Sequence, residues 1–255
     1  MAAIHTAGPL SCAVRPRTGR QSESGTYVLR RSLILKDLEG FIRQGVDWKK
    51  KGSMHNERAM SAAWNHNIHY HDLVLRSVPP GCRRALDVGC GQGLLARQLA
   101  HRCQEVVGID NNRGVLSRAK AGGESEPRIT FAESDGMTHQ FPDSSFDFIA
   151  AVAALHHLPL RPALARFRSL LRPGGVLTVI GLYRGETLSD LAAAAVAFPV
   201  SWMLRCLRGY ADVGAPVQNP AETLREVRVA CDDLLPSAAI RRHLLFRYSL
   251  VWHKP

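Results

Sequence analysis

Short apolar runs alternate with amphipathic stretches from Ala85 to Leu182. The apolar runs predict buried strands, and the stretches between them have the three-to-four-residue spacing of a helix face. Strand, helix, strand alternation of this kind is typical of a parallel sheet with helices packed against it. The predicted strands are 85–88, Glu105–Asp110, Ile129–Ala132, Phe146–Val152 and Val176–Leu182, and the predicted helices between them begin near Leu94, Asn111 and Arg161.

Elements of other kinds flank this core. Before it, residues Glu57–Val78 predict one amphipathic helix that ends at Pro79-Pro80-Gly81. After it, a helix over Pro220–Cys231 precedes two strands, Ala239–Arg242 and Leu245–Trp252. The alternating pattern of the last strand predicts an antiparallel hairpin at the edge of the sheet.

Composition divides the chain unevenly. The first 53 residues hold ten Lys or Arg and four acidic residues, so more than half of the net charge of +11 lies there. Residues 1–53 are therefore predicted to be a basic, largely disordered extension, and residues 54–255 the working domain. The arginine content of the extension also leaves open a mitochondrial presequence. The core itself carries no nucleic-acid-binding signature.

The cysteines and the longest apolar stretch bear on location. Six cysteines are scattered without a CxxC pair, which favours reduced thiols and a cytoplasmic protein. Within Leu188–Leu207 the longest charge-free piece is Leu191–Leu204, and Pro199 interrupts it. Fourteen residues are too few for a membrane-spanning helix, which needs about 20, so no membrane span is predicted.

The turn after the first strand carries the strongest chemical signal. Residues Arg84–Ala100 place glycines at 89, 91 and 93 between a strand and a helix. Glycine permits positive φ angles and lets a ligand approach the backbone. A dinucleotide-binding turn would need its third glycine where Leu94 stands, so the spacing favours a cofactor without a pyrophosphate.

The pattern Asp-x-Gly-x-Gly-x-Gly in LDVGCGQG resembles motif I of the class I S-adenosylmethionine (SAM)-dependent methyltransferases. PDSSFDFI and LRPGGVLTVIG are similar to two further segments of that family, of the group that includes ubiquinone and menaquinone biosynthesis enzymes. The resemblance implies a doubly wound α/β fold with a seven-stranded, mostly parallel sheet and an antiparallel C-terminal edge hairpin. It also implies SAM as the cofactor and methyl transfer as the reaction.

The resemblance assigns cofactor-binding residues to the ends of the first four strands. Asp110, at the tip of the second strand, is expected to accept the ribose hydroxyls, and Asp135 the adenine amino group. Asp110 as the N-cap of the following helix is an alternative that does not exclude this role. The whole predicted set is Asp87, Gly89, Cys90, Gly91, Gly93, Leu94, Asp110, Asn111, Ser134, Asp135, Gly136, Met137 and Ala153.

The methyl acceptor is expected to lie beside the cofactor. His156 and then His157 are the candidate general bases, because they follow the fourth strand and histidine titrates near neutral pH. In this family an N-terminal helix and an insertion after the fifth strand often touch the acceptor, although ordinary core packing is an equal alternative for these residues. The candidates are His66, Asn67, His69, Tyr70, Trp202 and Tyr210.

Two other functions and a metal site are alternatives to this interpretation. Three histidines in the N-terminal helix suggest a metal, but no carboxylate or cysteine pattern completes a ligand set, so no metal is predicted. An NAD-dependent oxidoreductase and a non-catalytic SAM-binding protein stay open as alternatives. We expect the partner to be a small-molecule acceptor and leave the oligomeric state open.

Overall fold

A computed structural model of the chain describes residues 65–122, 126–187, 218–244 and 246–255, with single positions at 190, 195 and 199. In this part of the chain, seven strands form one sheet in the order β3-β2-β1-β4-β5-β7-β6. The strands are β1 (Arg84–Val88), β2 (Glu105–Asp110), β3 (Ile129–Glu133), β4 (Phe146–Val152), β5 (Leu171–Leu182), β6 (Ala239–His243) and β7 (Arg247–His253).

The predicted fold class is confirmed. Strands β1 to β5 pair in parallel, and β7 pairs antiparallel with both β5 and β6. Because β1 lies between β2 and β4, the chain reverses direction across the sheet at β1, as in other doubly wound folds. The α-helices within residues 65–187 and 218–255, as far as the structure describes them, are α1 (His71–Arg76), α2 (Leu94–Ala100), α3 (Arg113–Ala121), α4 (Leu160–Leu170) and α5 (Leu224–Leu234).

Apolar clusters cover the sheet on both faces. On one face Phe167 of α4 and Val227 of α5 pack against β1, β2, β4 and β5. On the other face Val74 of α1 and Leu99 of α2 pack against the same sheet. Burial on both faces explains why the central strands are nearly continuous apolar runs rather than alternating ones.

Within the described part of the chain, the helix predicted over Glu57–Val78 is present over a shorter range and begins as a 3₁₀ turn. The side chain of Asn65 accepts hydrogen bonds from the backbone N–H groups of Asn67 and Ile68, at 2.9 Å each. The 3₁₀ turn Ile68–Tyr70 begins after these bonds, with Asn67 as its N-cap residue, and α1 follows with six residues. Residues 57–64 lie outside the described part of the chain.

Two other predicted boundaries were also wrong. The helix α3 begins at Arg113, and its cap is Asn112, whose Oδ1 accepts from Gly114 and Val115; Asp110 is not the cap. Strand β5 begins at Leu171 and includes Pro173-Gly174-Gly175, which was predicted to lie before the strand. The register of β5 against β4 shifts there, and Gly174 donates its N–H to the Lys254 carbonyl.

The α5 helix begins at Leu224 rather than near Pro220, because Thr223 and Glu226 form a capping box. Residues 1–53, Trp202, Tyr210 and most of Leu188–Leu207 lie outside the described residues. No helix in the described ranges has the length and apolar character to cross a bilayer.

Candidate active site

A cavity of about 400 Å³ opens where β1, β2 and β4 end at the carboxyl edge of the sheet. Ligands of open α/β sheets bind at this edge, where the order of the strands reverses. Most residues that were predicted to bind the cofactor line this cavity. They are Asp87, Gly89, Cys90, Gly91, Leu94, Asp110, Asn111, Ser134, Asp135, Gly136 and Ala153.

The three glycines of the turn all have positive φ, from 56° to 74°, but they differ in their surroundings. A Cβ at Gly89 would lie 2.6 Å from the Cβ of Ala154, and one at Gly93 would lie 2.5 Å from the Phe131 ring. A Cβ at Gly91 would meet no atom closer than 3.9 Å. Gly89 and Gly93 therefore allow close packing, whereas Gly91 leaves space on the cavity side. Gly93 is not among the lining residues.

Asp110 is held at the tip of β2 by the glycine turn. Its Oδ2 accepts from the Gly91 N–H at 2.9 Å, and its Oδ1 accepts from the Asn112 N–H at 2.8 Å. The N–H groups of Gly89 and Cys90 both donate to the Ile109 carbonyl, which ties the turn to the same strand. Each carboxylate oxygen keeps capacity for a further hydrogen bond on the cavity side.

Asp87 carries a buried carboxyl group, and one of its two oxygens lacks a hydrogen-bond partner. It is 2% exposed and lines the cavity, and its Oδ2 has no hydrogen-bond partner. Burial, and after it the charge of Asp110, raise the pKa of Asp87 to about 7. A buried carboxylate is costly unless a donor or a cation stabilises it, so the Asp87 carboxyl group is a candidate partner for a positive group in the cavity.

The loop after β3 supplies another carboxylate. Asp135 lines the cavity, and its Oδ1 accepts from the Met137 N–H at 2.6 Å, which closes a tight turn. Gly136 lies against the β1 residue Val88, where a Cβ would be 3.0 Å from Cγ1. Met137 packs against the apolar cluster that includes Phe167, and it is not among the residues that line the cavity.

The turn after β4 separates the two candidate histidines. Ala153, which lines the cavity, has a φ of +52°, a conformation that strains a non-glycine residue. The 3₁₀ turn Leu155–His157 follows, and the rings of His156 and His157 lie 4.0 Å apart. Only His157 lines the cavity.

His156 lies away from the cavity. Its Nδ1 is buried without a hydrogen-bond partner, and burial, then His157 and Arg247, lower its pKa to about 4. His157 is exposed, and its Nδ1 lies 2.8 Å from the Oε1 of Gln218. The geometry therefore reverses the order in which the two histidines were ranked.

The N-terminal segment contributes fewer residues than predicted. Asn67 lines the cavity, and its Oδ1 accepts from Arg247 of β7 at 2.8 Å. Tyr70 is 3% exposed and packs against His243, with ring centroids 5.1 Å apart. His66, His69 and Tyr70 do not line the cavity.

Several lining residues were not predicted from the sequence. Asn65, Ile68, His71 and Gln218 are the main ones. His71 is held by Gln98 of α2, 2.8 Å from its Nδ1. Asn65 had a usable signal, since asparagine is a favoured cap residue. Gln218 had none, because its position depends on the path of the chain after β5.

The cysteine of the turn is structural. The Cys90 side chain is 7% exposed and packs beside Gly108, where an added Cβ would meet Sγ at 3.0 Å. Burial, with Asp87 and Asp110 nearby, raises the pKa of this thiol. Within the described ranges, no cluster of His, Cys, Asp or Glu has an arrangement suited to a metal ion.

The comparisons with known proteins bear directly on this site. The methyltransferase-domain family matches residues 86–179, from β1 to β5. The chain is 37% identical over 198 residues to an uncharacterised methyltransferase of Mycobacterium tuberculosis strain H37Rv, which covers 77% of this chain and all of that protein. The chain belongs to the SAM-dependent methyltransferases. It is therefore an enzyme that uses SAM as its methyl donor, and the NAD-dependent alternative falls away.

Solved structures support the fold of this methyltransferase. The N-methyltransferase NodS of Bradyrhizobium japonicum, in complex with S-adenosyl-L-homocysteine, matches with a TM-score of 0.52 at 18% identity over 75% of this chain and 89% of that one. The YcgJ protein of Bacillus subtilis matches with a TM-score of 0.52 at 21% identity, over 68% and 70% of the two chains. A shorter stretch of 129 residues, 46% of this chain, is 37% identical to 48% of the trans-aconitate 2-methyltransferase of Deinococcus radiodurans.

Proposed function

We propose that SAM binds in the 400 Å³ cavity and that Asp87, Asp110 and Asp135 share its recognition. The observation that carries the proposal is the Asp87 carboxyl, buried in the cavity with one oxygen lacking a partner. SAM is cationic at its sulfonium and at its amino group. A cationic ligand would satisfy this carboxylate and remove the cost of burying it.

Asp110 is proposed to bind the ribose. Backbone N–H groups of Gly91 and Asn112 orient its two oxygens, so the carboxylate needs no rearrangement to accept hydroxyl donors. Hydrogen bonds to a charged acceptor are stronger than those to a neutral one. Gly91 and Asn111 border the same part of the cavity and leave room for the sugar.

The adenine is proposed to lie beside the loop after β3. Asp135 offers a carboxylate oxygen for an exocyclic amine, and Gly136 and Leu158 border the space next to it. An apolar slot with one or two acceptors is the usual environment for a nucleobase in a protein pocket. Ser134 lines the same region.

His157 is proposed as the general base toward the acceptor. SAM, when bound, supplies an electrophilic methyl group. Gln218 Oε1 can only accept, so it holds the proton on His157 Nδ1 and leaves the lone pair on Nε2. Nε2 can then take a proton from a hydroxyl, thiol or acidic carbon of the acceptor as the methyl group is transferred.

The acceptor is proposed to be a small molecule. The cavity walls carry the amide side chains of Asn65, Asn67 and Gln218, which can hydrogen-bond a small polar molecule. Trp202 and Tyr210 stay predictions for the acceptor side. The cytoplasmic location and the division into residues 1–53 and 54–255 are likewise proposals that rest on composition.

The proposal is tested by calorimetric titration of the full chain with SAM. Asp110→Ala removes both the ribose acceptor and a support of the glycine turn, and we expect the affinity to fall by about 100-fold or more. Glu133→Ala is the matched control. Glu133 is the register partner of Asp110 on β3, but it pairs with Arg113 at the surface and does not line the cavity.

Glu133→Ala is expected to leave SAM affinity within about twofold of the unsubstituted chain, because exposed ion pairs contribute little. Unchanged affinity in Asp110→Ala, with a circular dichroism spectrum like that of the unsubstituted chain, would refute the assignment of the cavity.

A further inference from the structure

Cys82 and Cys103, which are 21 residues apart in the sequence, lie opposite each other in space. The parallel register of β1 and β2 pairs Arg84 with Glu105 and continues at the same offset to Val88 and Ile109. The two segments also stay hydrogen-bonded just before these strands begin. The Glu105 N–H donates to the Arg83 carbonyl at 2.8 Å, and the Gln104 N–H donates to the Cys82 carbonyl at 3.2 Å. The same offset places Cys82 beside Cys103.

This placement suits a disulfide. Neighbouring strands lie about 4.8 Å apart, within the roughly 4.4–6.8 Å that separates the Cα atoms of disulfide-bonded cysteines. Cys82 is 2% and Cys103 4% exposed, and both belong to the apolar cluster between the sheet and α1 and α2. Both are free thiols in this structure.

The two thiols also interact. A hydrogen bond with Cys103, followed by burial, raises the pKa of Cys82 well above its ordinary value. Cys82 therefore stays protonated at neutral pH and reacts slowly, because the thiolate is the reactive form. Only a small oxidant in excess is expected to reach and oxidise it.

A route to Cys82 exists at the amino edge of the sheet. A second cavity of about 140 Å³ is lined by Cys82 together with Gly81, Asp147 and Gly174. It lies at the edge opposite the SAM cavity, since these residues precede β1 or lie in the first residues of β4 and β5. A hydroperoxide is small enough to enter such a space.

We propose that Cys82 and Cys103 are a redox modification site, at which a hydroperoxide forms a reversible disulfide between the residues that lie just before β1 and β2. In the first step a Cys82 sulfur attacks the peroxide O–O bond, giving a sulfenic acid and releasing water from hydrogen peroxide. In the second step the Cys103 sulfur displaces the sulfenic oxygen as a second water, and the S–S bond forms. Two thiols are oxidised and one peroxide is reduced, so electrons and atoms balance.

The consequence is structural rather than catalytic. The disulfide would close a ring of 22 residues that contains β1, the glycine turn and α2. It would constrain the unfolded chain, raising the melting temperature by about 5–10 °C. The SAM cavity lies at the other end of the same strands, so its affinity for SAM is expected to change by less than about twofold. The proposal therefore does not depend on the roles assigned in that cavity.

Peptide mapping of the full chain tests this. The protein is treated with hydrogen peroxide, its remaining thiols are alkylated under denaturing conditions, and it is digested with trypsin. Cleavage at Arg76, Arg83, Arg102 and Arg113 puts the two cysteines on separate peptides, 77–83 and 103–113. A dithiothreitol-sensitive species that links these two peptides is expected, with a melting temperature that rises on oxidation and falls back on reduction.

Cys103→Ala and Cys231→Ala are matched variants, each lacking one buried thiol. Cys103→Ala should lose the linked species and the rise in melting temperature, and Cys231→Ala, whose thiol lies in α5, should keep both. If Cys103→Ala does not fold, Cys82→Ala takes its place and should likewise lose the linked species, and the peptide map of the oxidised unsubstituted chain still shows whether Cys82 and Cys103 are joined. Free alkylated Cys82 and Cys103 after oxidation, or a link from Cys82 to another cysteine, would overturn the proposal.

Discussion

Asp87, Asp110 and Asp147 lie near the ends of neighbouring strands, and their carboxylates differ in the hydrogen-bond donors that they meet. Asp110 accepts hydrogen bonds from two backbone N–H groups at the cavity, whereas Oδ2 of Asp87 has no hydrogen-bond partner. Asp147, at the opposite edge, accepts from two backbone N–H groups and an arginine. Two carboxylates are therefore satisfied within the protein, and Asp87 is left to a ligand.

The pH dependence of SAM binding should report on Asp87. Its pKa near 7 in the free protein means that a cationic ligand must displace a proton below neutrality. SAM affinity is expected to fall about tenfold per unit as the pH drops from 7 to 5. Calorimetric titration with SAM across this range measures it.

Asp87→Asn should weaken SAM binding at pH 7 and flatten the dependence of SAM affinity on pH.

The raised pKa of Asp87 also predicts that the free protein loses stability as the pH rises from about 4 to about 7, because the folded state keeps a proton that the unfolded chain releases. If the SAM affinity of Asp87→Asn still fell tenfold per pH unit below pH 7, another group would be responsible for the pH dependence of binding.

His157 and Gln218 can be separated from His156 by rate measurements. The assay is transfer of labelled methyl from SAM to a small-molecule extract. His157→Asn should lower the rate by about 100-fold or more at unchanged SAM affinity, because it removes a general base. Gln218→Leu should lower it less and shift the pH–rate profile, because it releases the Nδ1 proton from its partner.

His156→Asn is the comparison variant, since its ring does not line the cavity. A large loss of rate in His156→Asn at full stability, with none in His157→Asn, would restore the original ranking of the two histidines.

At the scale of elements, the turn from β1 to α2 combines a packing function with a binding function. Gly89 and Gly93 touch Ala154 and Phe131, which belong to the turn after β4 and to β3. Gly91 instead borders the cavity and donates to Asp110. The turn thus fastens the ends of β2, β3 and β4 together around the space that it leaves open.

Gly89→Ala and Gly91→Ala should therefore fail in different ways. Both place alanine at a positive φ, which costs about 1–2 kcal/mol. Gly89→Ala adds a clash at 2.6 Å, so its unfolding free energy should fall by about 2–5 kcal/mol. The unfolding free energy of Gly91→Ala should fall by only about 1–2 kcal/mol, but this variant should bind SAM much more weakly. Denaturant titration and calorimetry measure the two effects, and equal losses of stability would contradict this division.

At the scale of the molecule, the two edges of the sheet have separate roles. The carboxyl edge holds the cavity, and the amino edge holds the contacts that join the strands. Asp147 accepts from the backbone N–H groups of Arg83 and Arg84 at 2.9 Å and pairs with Nη1 of Arg172 at 2.8 Å, linking β1, β4 and β5. Stability and binding can therefore be altered independently.

Asp147→Ala should destabilise the protein without affecting SAM binding. Burial would raise the pKa of Asp147, but the bond from Arg172 and the two backbone N–H groups outweigh it and lower the pKa. Its stabilisation is thus present above the unfolded pKa of about 3.8 and is lost as the pH falls further. Loss of these bonds should cost about 2–4 kcal/mol at pH 7.

Denaturant titration at pH 7 and below pH 4 checks this, with the exposed Asp143→Ala as the control. The difference between Asp147→Ala and the unsubstituted chain should narrow in acid. A difference that stays constant with pH would mean that the carboxylate charge is not involved.

The sequence by itself determined the sheet and the pairing of the glycine turn with Asp110. Apolar runs at regular spacing specify parallel strands, and parallel strands bring their carboxyl ends to one edge, so residues that follow separate strands must meet there. The resemblance to the methyltransferase family named Asp87, Gly91, Asp135 and Ala153, and the parallel order of the strands explains why they meet.

Only the tertiary structure decided which way individual side chains point. His156 and His157 are adjacent in sequence, and the pitch of one 3₁₀ turn sends the second into the cavity and the first away from it. Gln218 reaches His157 across 61 residues, and Cys82 meets Cys103 through strand register. Such contacts depend on packing between distant segments, which local periodicity does not encode.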